Sequence, residues 1–227
     1  MFDKRPPDAT MLTRRGAQNE QRVFYFAMSL LMLVLVTYGF SRTIGPGLLH
    51  TDRPARIVVL LSIHAAVFYG WMLLMAVQTA LLRARNIRLH RLLGWFGAAD
   101  AALVVIMGLW ASFHEPLPVA LEMLGVVSMA GFGIPVALAI IWRKRPAYHR
   151  RLLLIGTAML TNAAFARFPG TYVPEHFFYA GTDLIIAVGI AQDLCKVKSV
   201  HLIYRCAVPL LLAAQIGVLI PAWPYLG

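Results

Sequence analysis

Two stretches of this chain place a histidine at the head of the same pattern. Residues 88–97 read RLHRLLGWFG and residues 147–156 read AYHRRLLLIG. Aligned, they share His-Arg-x-Leu-x-x-x-Gly, with His90, Arg91 and Gly97 matched by His149, Arg150 and Gly156. On a helix, positions seven apart lie on one stripe about two turns apart. A histidine with a glycine above it on the same stripe suits a haem b. The imidazole would ligate iron, the missing Cβ would admit the flat macrocycle, and Arg91 and Arg150 would meet the propionates. His90 and His149 are the expected axial ligands, with His201 as an alternative or neighbouring ligand. His64 marks a second haem site nearer the opposite face, with the loop residue His176 as its partner. Such a protein would pass electrons to or from a quinone or another electron-transfer partner. The competing reading is that each His-Arg pair anchors a helix at the membrane face and that the glycines serve helix packing.

Other chemistries are open to the same residues. His90, His149 and His201 with Asp193 form a candidate three-histidine or histidine–carboxylate metal site of a membrane hydrolase. The absence of any paired-histidine motif such as HExxH counts against it. Buried Asp100 and Asp183 are candidates for ion binding or proton transfer, because ionisable groups in a membrane are costly and functional by default. Arg167 is the natural partner for Asp183. Gln78 and Asn162 are further polar residues within apolar segments. A retinal protein is excluded, because a Schiff base needs a lysine in the bundle and Lys4, Lys144, Lys196 and Lys198 all fall outside the apolar runs.

The elements that must position these residues are apolar helices. The chain has 227 residues, 59% of them hydrophobic and 14% charged. Soluble domains carry roughly 25% charge. Runs of ~20 apolar residues are long enough to span a bilayer, and seven are visible. They are Val23–Phe40, Ile57–Leu82, Leu92–Phe113, Val119–Trp142, Leu152–Phe168, Phe177–Cys195 and Leu202–Pro221. Because lipid cannot satisfy backbone polar groups, the runs are expected to be helices. The fold class is therefore all-α, a seven-helix transmembrane bundle over 23–227. Residues 1–22 are polar and Pro-containing and are expected to form a disordered basic tail. The first span, with Ser29, Thr37 and Tyr38 as its polar residues, is expected at the periphery. Gly125, Gly131, Gly133 and Pro135 predict a kink or a very close helix contact in the fourth span.

The net charge of +11 does not point to nucleic acid. If the N-terminus is cytoplasmic, seventeen of the 21 Lys and Arg residues lie on that side, in the tail and in the loops 83–91, 143–151 and 196–205. This positive-inside bias predicts an N-terminus in the cytoplasm, a C-terminus in the periplasm and residence in a bacterial inner membrane. Trp95, Trp110, Trp142 and Trp223 fall near span ends, as interfacial anchors should, and Trp71 does not. Cys195 and Cys206 fall on the reducing side and are expected to remain thiols.

The same residues carry a resemblance. The runs IHAAVFYGWMLLMAVQTALLRARNIRLHRLLGWFGA, HRRLLLIGTAMLTNAAFARFP and TDLIIAVGIAQDL, followed by His201, resemble a group of uncharacterised bacterial multi-pass membrane proteins. The likeness covers residues 57–205. His64, Gln78, His90, Arg91, Gly94, His149, Arg150, Arg167 and Asp183 fill positions of the group's pattern. Asn162 departs from it, standing where many members have an acid. The His-then-Leu-Gly helix start is also similar to that of the ascorbate-reducible transmembrane b-type cytochromes, and that likeness implies haem.

Overall fold

In the computed structural model, residues 9–41, 54–114 and 117–226 are described. Among them there is no strand. The chain runs through α1 (Ala9–Ser41), α2 (Ala55–Arg83), α3 (Ile87–Phe113), α4 (Val119–Ile141), α5 (Pro146–Met159), α6 (Asn162–Phe165), α7 (Phe178–Val197) and α8 (Leu202–Ala222), with short 3-10 turns at Glu175–Phe177 and Trp223–Tyr225. Six of these helices are long and apolar enough to cross a membrane: α1, α2, α3, α4, α7 and α8, the last with its 3-10 turn. The expected fifth span, 152–168, is not one continuous helix. It is divided between α5 and α6.

The division falls at Leu160 and Thr161, where the backbone tightens to i→i−3 bonds. Leu160 N–H donates to Thr157 O (3.2 Å) and Thr161 N–H to Ala158 O (2.9 Å). Thr161 Oγ1 donates to the same Ala158 carbonyl at 2.6 Å. A threonine hydroxyl returned to its own helix competes with the i→i−4 ladder and bends it. Irregular backbone at membrane depth is tolerated only where protein covers it, and Thr157, Ala158, Met159, Leu160, Thr161 and Asn162 are all buried.

That divided segment is the hub of the bundle. α5 packs against α1, α4, α7 and α8, and α6 against α1 and α7. Close approach depends on small residues. A side chain at Gly156 would meet the Phe132 carbonyl and Val136 of α4, and one at Gly39 of α1 would overlap the backbone of Ala164. Polar bonds tie the segment outward. Trp71 Nε1 of α2 donates to Thr157 Oγ1 (3.2 Å), the Thr161 and Thr182 hydroxyls are 3.2 Å apart, and Asn162 Nδ2 donates to Ser128 Oγ of α4 (2.5 Å). The outward faces of the other helices are apolar, with Trp95, Ile106, Ile134, Leu184, Leu210 and Ile220 all at least 60% exposed. In lipid that surface needs no cover, so the segment with the most polar side chains takes the enclosed position.

Two expectations change, on the tail and on α1. The expected disordered tail is helical from Ala9, because its last residues are held. Arg150 Nη1 donates to Gln21 Oε1 at 2.6 Å, and Lys196 pairs with Glu20 at 2.7 Å. Residues 1–8 lie outside the described residues. α1 is not peripheral. It buries Met28, Ser29, Met32 and Val36 and encloses more of its span than α2, α3 or α8. α4 runs unbroken through Pro135, so of the two outcomes expected for its glycines the close contact is found. Gly125 lies against Ser112, Gly131 against Met159 and Gly133 against Val105. Cys195 and Cys206 are exposed free thiols.

Candidate functional site

The polar residues sort to the two ends of the fifth segment. At the basic end, where the turns 84–86, 142–145 and 198–201 meet the lower part of α1, the side chains close on one another. Arg151 forms a two-point pair with Asp193 of α7. Its Nε donates to Oδ2 at 2.7 Å and its Nη2 to Oδ1 at 2.5 Å. Arg151 Nη1 donates to Ala147 O at 2.7 Å. Arg151 and Asp193 are 3% and 4% exposed. A planar guanidinium matched to a carboxylate in this way is the strongest form of ion pair. Arg150 turns the other way, to Gln21 and over the Tyr25 ring at 5.6 Å, so α1 occupies the group that was expected to meet a propionate.

His149 Nδ1 donates to Ala139 O at 2.8 Å. His90 lies against Gln78 at the end of α2 and is a charge neighbour of His149. His90 Nδ1 and Gln78 Oε1 are buried without a hydrogen-bond partner. His201 is a helix cap, its Nδ1 accepting from Ile203 N–H at 3.2 Å, with its ring edge-on to Tyr148. Burial, and after it the charge of Arg151, hold its imidazole below the ordinary range. Among the described residues no three His, Cys, Asp or Glu side chains come together to hold a metal, so His90, His149, His201 and Asp193 do not assemble a metal site. Gly97 faces Leu74 and Gly156 faces α4. A haem between His90 and His149 therefore requires those neighbours to move. Arg91 is exposed.

The other end is open. A cavity of about 700 Å³ lies between α2, α3, α4 and α6, with Phe178 and the C-terminal Tyr225 and Leu226 on its rim. His64, Ser112, Ser128, Asn162 and Arg167 supply its polar wall, and Phe68, Leu124 and Met129 part of its apolar wall. The division of the fifth segment makes this space, because Leu160 and Asn162 flank the tight turn and both line it. Each polar group keeps bonding capacity. His64 Nδ1 donates to Met107 O at 3.2 Å, leaving Nε2 as an acceptor, and its ring lies on Phe68. Ser128 Oγ donates to Leu124 O and accepts from Asn162, and the Tyr179 hydroxyl lies 3.5 Å from it. Arg167 Nη1 donates to Ala163 O at 2.6 Å, and its guanidinium stacks over Phe40 at 4.4 Å.

Arg167 is not the partner of Asp183. Asp183 Oδ1 accepts from Gln215 Nε2 at 3.1 Å, beside a smaller apolar groove between α7 and α8. Asp100 is half-buried in the middle of α3. His176 packs on Trp223. Trp71, the tryptophan outside the belt, is buried and holds Thr157. Sequence reading overlooked Arg151 as a site residue, although a signal existed. The repeat has Leu92 where the second copy has Arg151, and Leu92 is exposed to the apolar surroundings.

No family model matches the chain, and neither a curated protein nor a solved structure matches it.

Proposed function

We propose that this protein crosses a bacterial inner membrane seven times, N-terminus in the cytoplasm, and binds a small amphiphilic ligand in the cavity on its outer side. The topology rests on charge. The basic turns and the lower end of α1 share one end of the bundle, where Arg150 meets Gln21 and Arg83 lies over Phe26. The fifth segment runs from that end to Arg167, beside Phe40 at the far end of α1. With α5 and α6 counted together it makes the seventh crossing.

One observation carries the ligand reading: a cavity of about 700 Å³ joins apolar side chains to convergent polar groups with spare valence. Small-molecule sites have this size and this mixture. A quinone headgroup is one ligand whose carbonyls such a wall accommodates.

Calorimetric titration of a water-soluble amphiphile, hexanol, into the protein in nanodiscs tests this. Saturable heat beyond that of empty nanodiscs is expected. Ala163→Trp, which fills the cavity from α6, abolishes it without lowering the melting temperature. Equal binding by this variant sinks the proposal.

A second reading has its own support. The His149 Nδ1 bond to Ala139 O fixes the ring and leaves Nε2 free, the arrangement that orients an iron ligand. A haem on His90 and His149 would supply one-electron transfer. Spectra of the oxidised and dithionite-reduced protein decide it. A sharp α band on reduction assigns the inner end to haem, and a featureless spectrum after expression with ample haem removes that reading.

A further inference from the structure

The walls of the outer cavity are electrostatically one-sided. The ionisable side chains that line it are Arg167 and His64, and among the described residues no carboxylate does. Taken element by element, α2 contributes His64. α3 contributes Ser112, with His114 just beyond its end as a charge neighbour of His64. α4 carries Glu122 close by, but the wall there is made by Leu121, Leu124 and Gly125. α6 and the turn after it contribute Asn162 and Arg167, and α7 contributes Phe178. Asp183 of α7 is a charge neighbour of Tyr179, yet it opens on the separate groove toward α8. Arg167 and His64 are themselves charge neighbours. Arg167, which is exposed, and His64 give the cavity a basic wall on which no described carboxylate lies, and such a wall attracts an anion.

The hydrogen-bond pattern narrows the chemistry further. Arg167 spends one N–H on Ala163 O and has others to give. His64 has already donated from Nδ1, so Nε2 takes a proton. A donor beside a proton acceptor matches a carboxyl group. One oxygen accepts from the guanidinium, and the other shares its proton with the imidazole. A permanently charged cation meets repulsion here, and an alcohol uses only part of the set.

We infer that the cavity's ligand is a carboxylic acid with an apolar tail, its head held between Arg167 and His64 and its tail along Phe68, Leu124 and Met129. The inference rests on the cavity being a ligand site, as proposed above.

Three probes of equal tail length separate the two claims: hexanoate, hexanol and hexylammonium, titrated into the full chain in nanodiscs. The expected result is hexanoate binding about tenfold more tightly than hexanol, the factor a charge-assisted bond gives, with hexylammonium weakest. In Arg167→Gln the preference for hexanoate over hexanol disappears. Arg167→Lys keeps part of the preference, since the charge remains. An unaltered melting temperature shows that the variants are folded. Equal affinity for hexanoate and hexanol in the unaltered protein, or a preference for hexylammonium, overturns the carboxylate inference and leaves the cavity as a ligand site. Failure of all three probes to bind overturns the site itself. A preference that survives Arg167→Gln but is lost in His64→Gln overturns the role given to Arg167.

Discussion

At one end of the fifth segment Arg151 is enclosed with Asp193, satisfied at two points and 3% exposed. At the other end, across the tight turn at Leu160 and Thr161, Arg167 has a backbone carbonyl and an aromatic face for company and looks into open space. Both arginines belong to the fifth segment, Arg151 enclosed within it and Arg167 exposed at its end. The first is balanced within the protein, by a carboxylate that arrives on α7. Among the described residues the second has no such carboxylate, and the space beside it is large enough for something that would balance it. The difference separates a polar group that holds a fold together from one that is available to a ligand. Burial separates the two arginines, since Arg167 is exposed, but it does not separate Arg151 from Asn162 of the cavity wall, which is buried too. Spare hydrogen-bonding capacity does.

The sharpest way to break this contrast is at the inner pair. Removing one partner leaves an uncompensated charge among buried side chains, which costs about 3–5 kcal/mol. Asp193→Ala and Arg151→Ala are each expected to lower the melting temperature in detergent more than any other single change discussed for this protein, with loss of folded yield. The double variant Arg151→Met with Asp193→Leu recovers most of the stability, because two apolar residues need no partner. Arg167→Gln is expected to leave the melting temperature close to that of the unaltered protein. If Arg167→Gln proves as damaging as Arg151→Ala, both arginines are structural and the distinction between the two ends fails.

Much of the fold could be read in the sequence because lipid imposes a simple rule. Apolar runs become helices, and six of them satisfy the length and hydropathy for a span. The basic loops were legible for a similar reason, and the structure brings Arg83 at the end of α2 and Arg150 in the first turn of α5 to the same part of α1. The interruption of the fifth run was not legible. Neither Gly nor Pro marks it. It arises from a Thr161 hydroxyl directed at its own helix and from neighbours on α4 and α7 that cover the disturbed turn. The His-Arg repeat was legible as a pattern but not as a pair of environments. Its first copy begins α3, where Arg91 and Leu92 are exposed, whereas its second begins the enclosed α5, where Arg151 is buried. One helix start can serve either place, because position in the bundle is decided by partners distant in sequence. The cavity was invisible for the same reason. His64, Ser128, Asn162 and Arg167 come from three separate stretches, and nothing in their spacing announces that they converge.

A smaller effect sharpens the comparison at the outer end. Ser128 is the acceptor for Asn162 and the donor to Leu124 O. Ser128→Ala removes both bonds and adds no bulk. Interhelical hydrogen bonds in membranes average about 0.6 kcal/mol, because a polar group released in the bundle finds other partners. The cavity supplies such partners here. The freed Asn162 amide can turn toward the open space or toward the Tyr179 hydroxyl close by. The expected loss is therefore less than about 1 kcal/mol, a shift of a few degrees in melting temperature, measured in the same detergent as the Arg151 variants. Asn162→Leu is expected to cost little more, since it removes the amide that would need a partner. A loss approaching that of Asp193→Ala would mean that Ser128 and Asn162 lock α4 to α6 as firmly as Arg151 locks α5 to α7. The outer end would then be as tightly built as the inner one, and its spare valences would not mark a place made for a ligand.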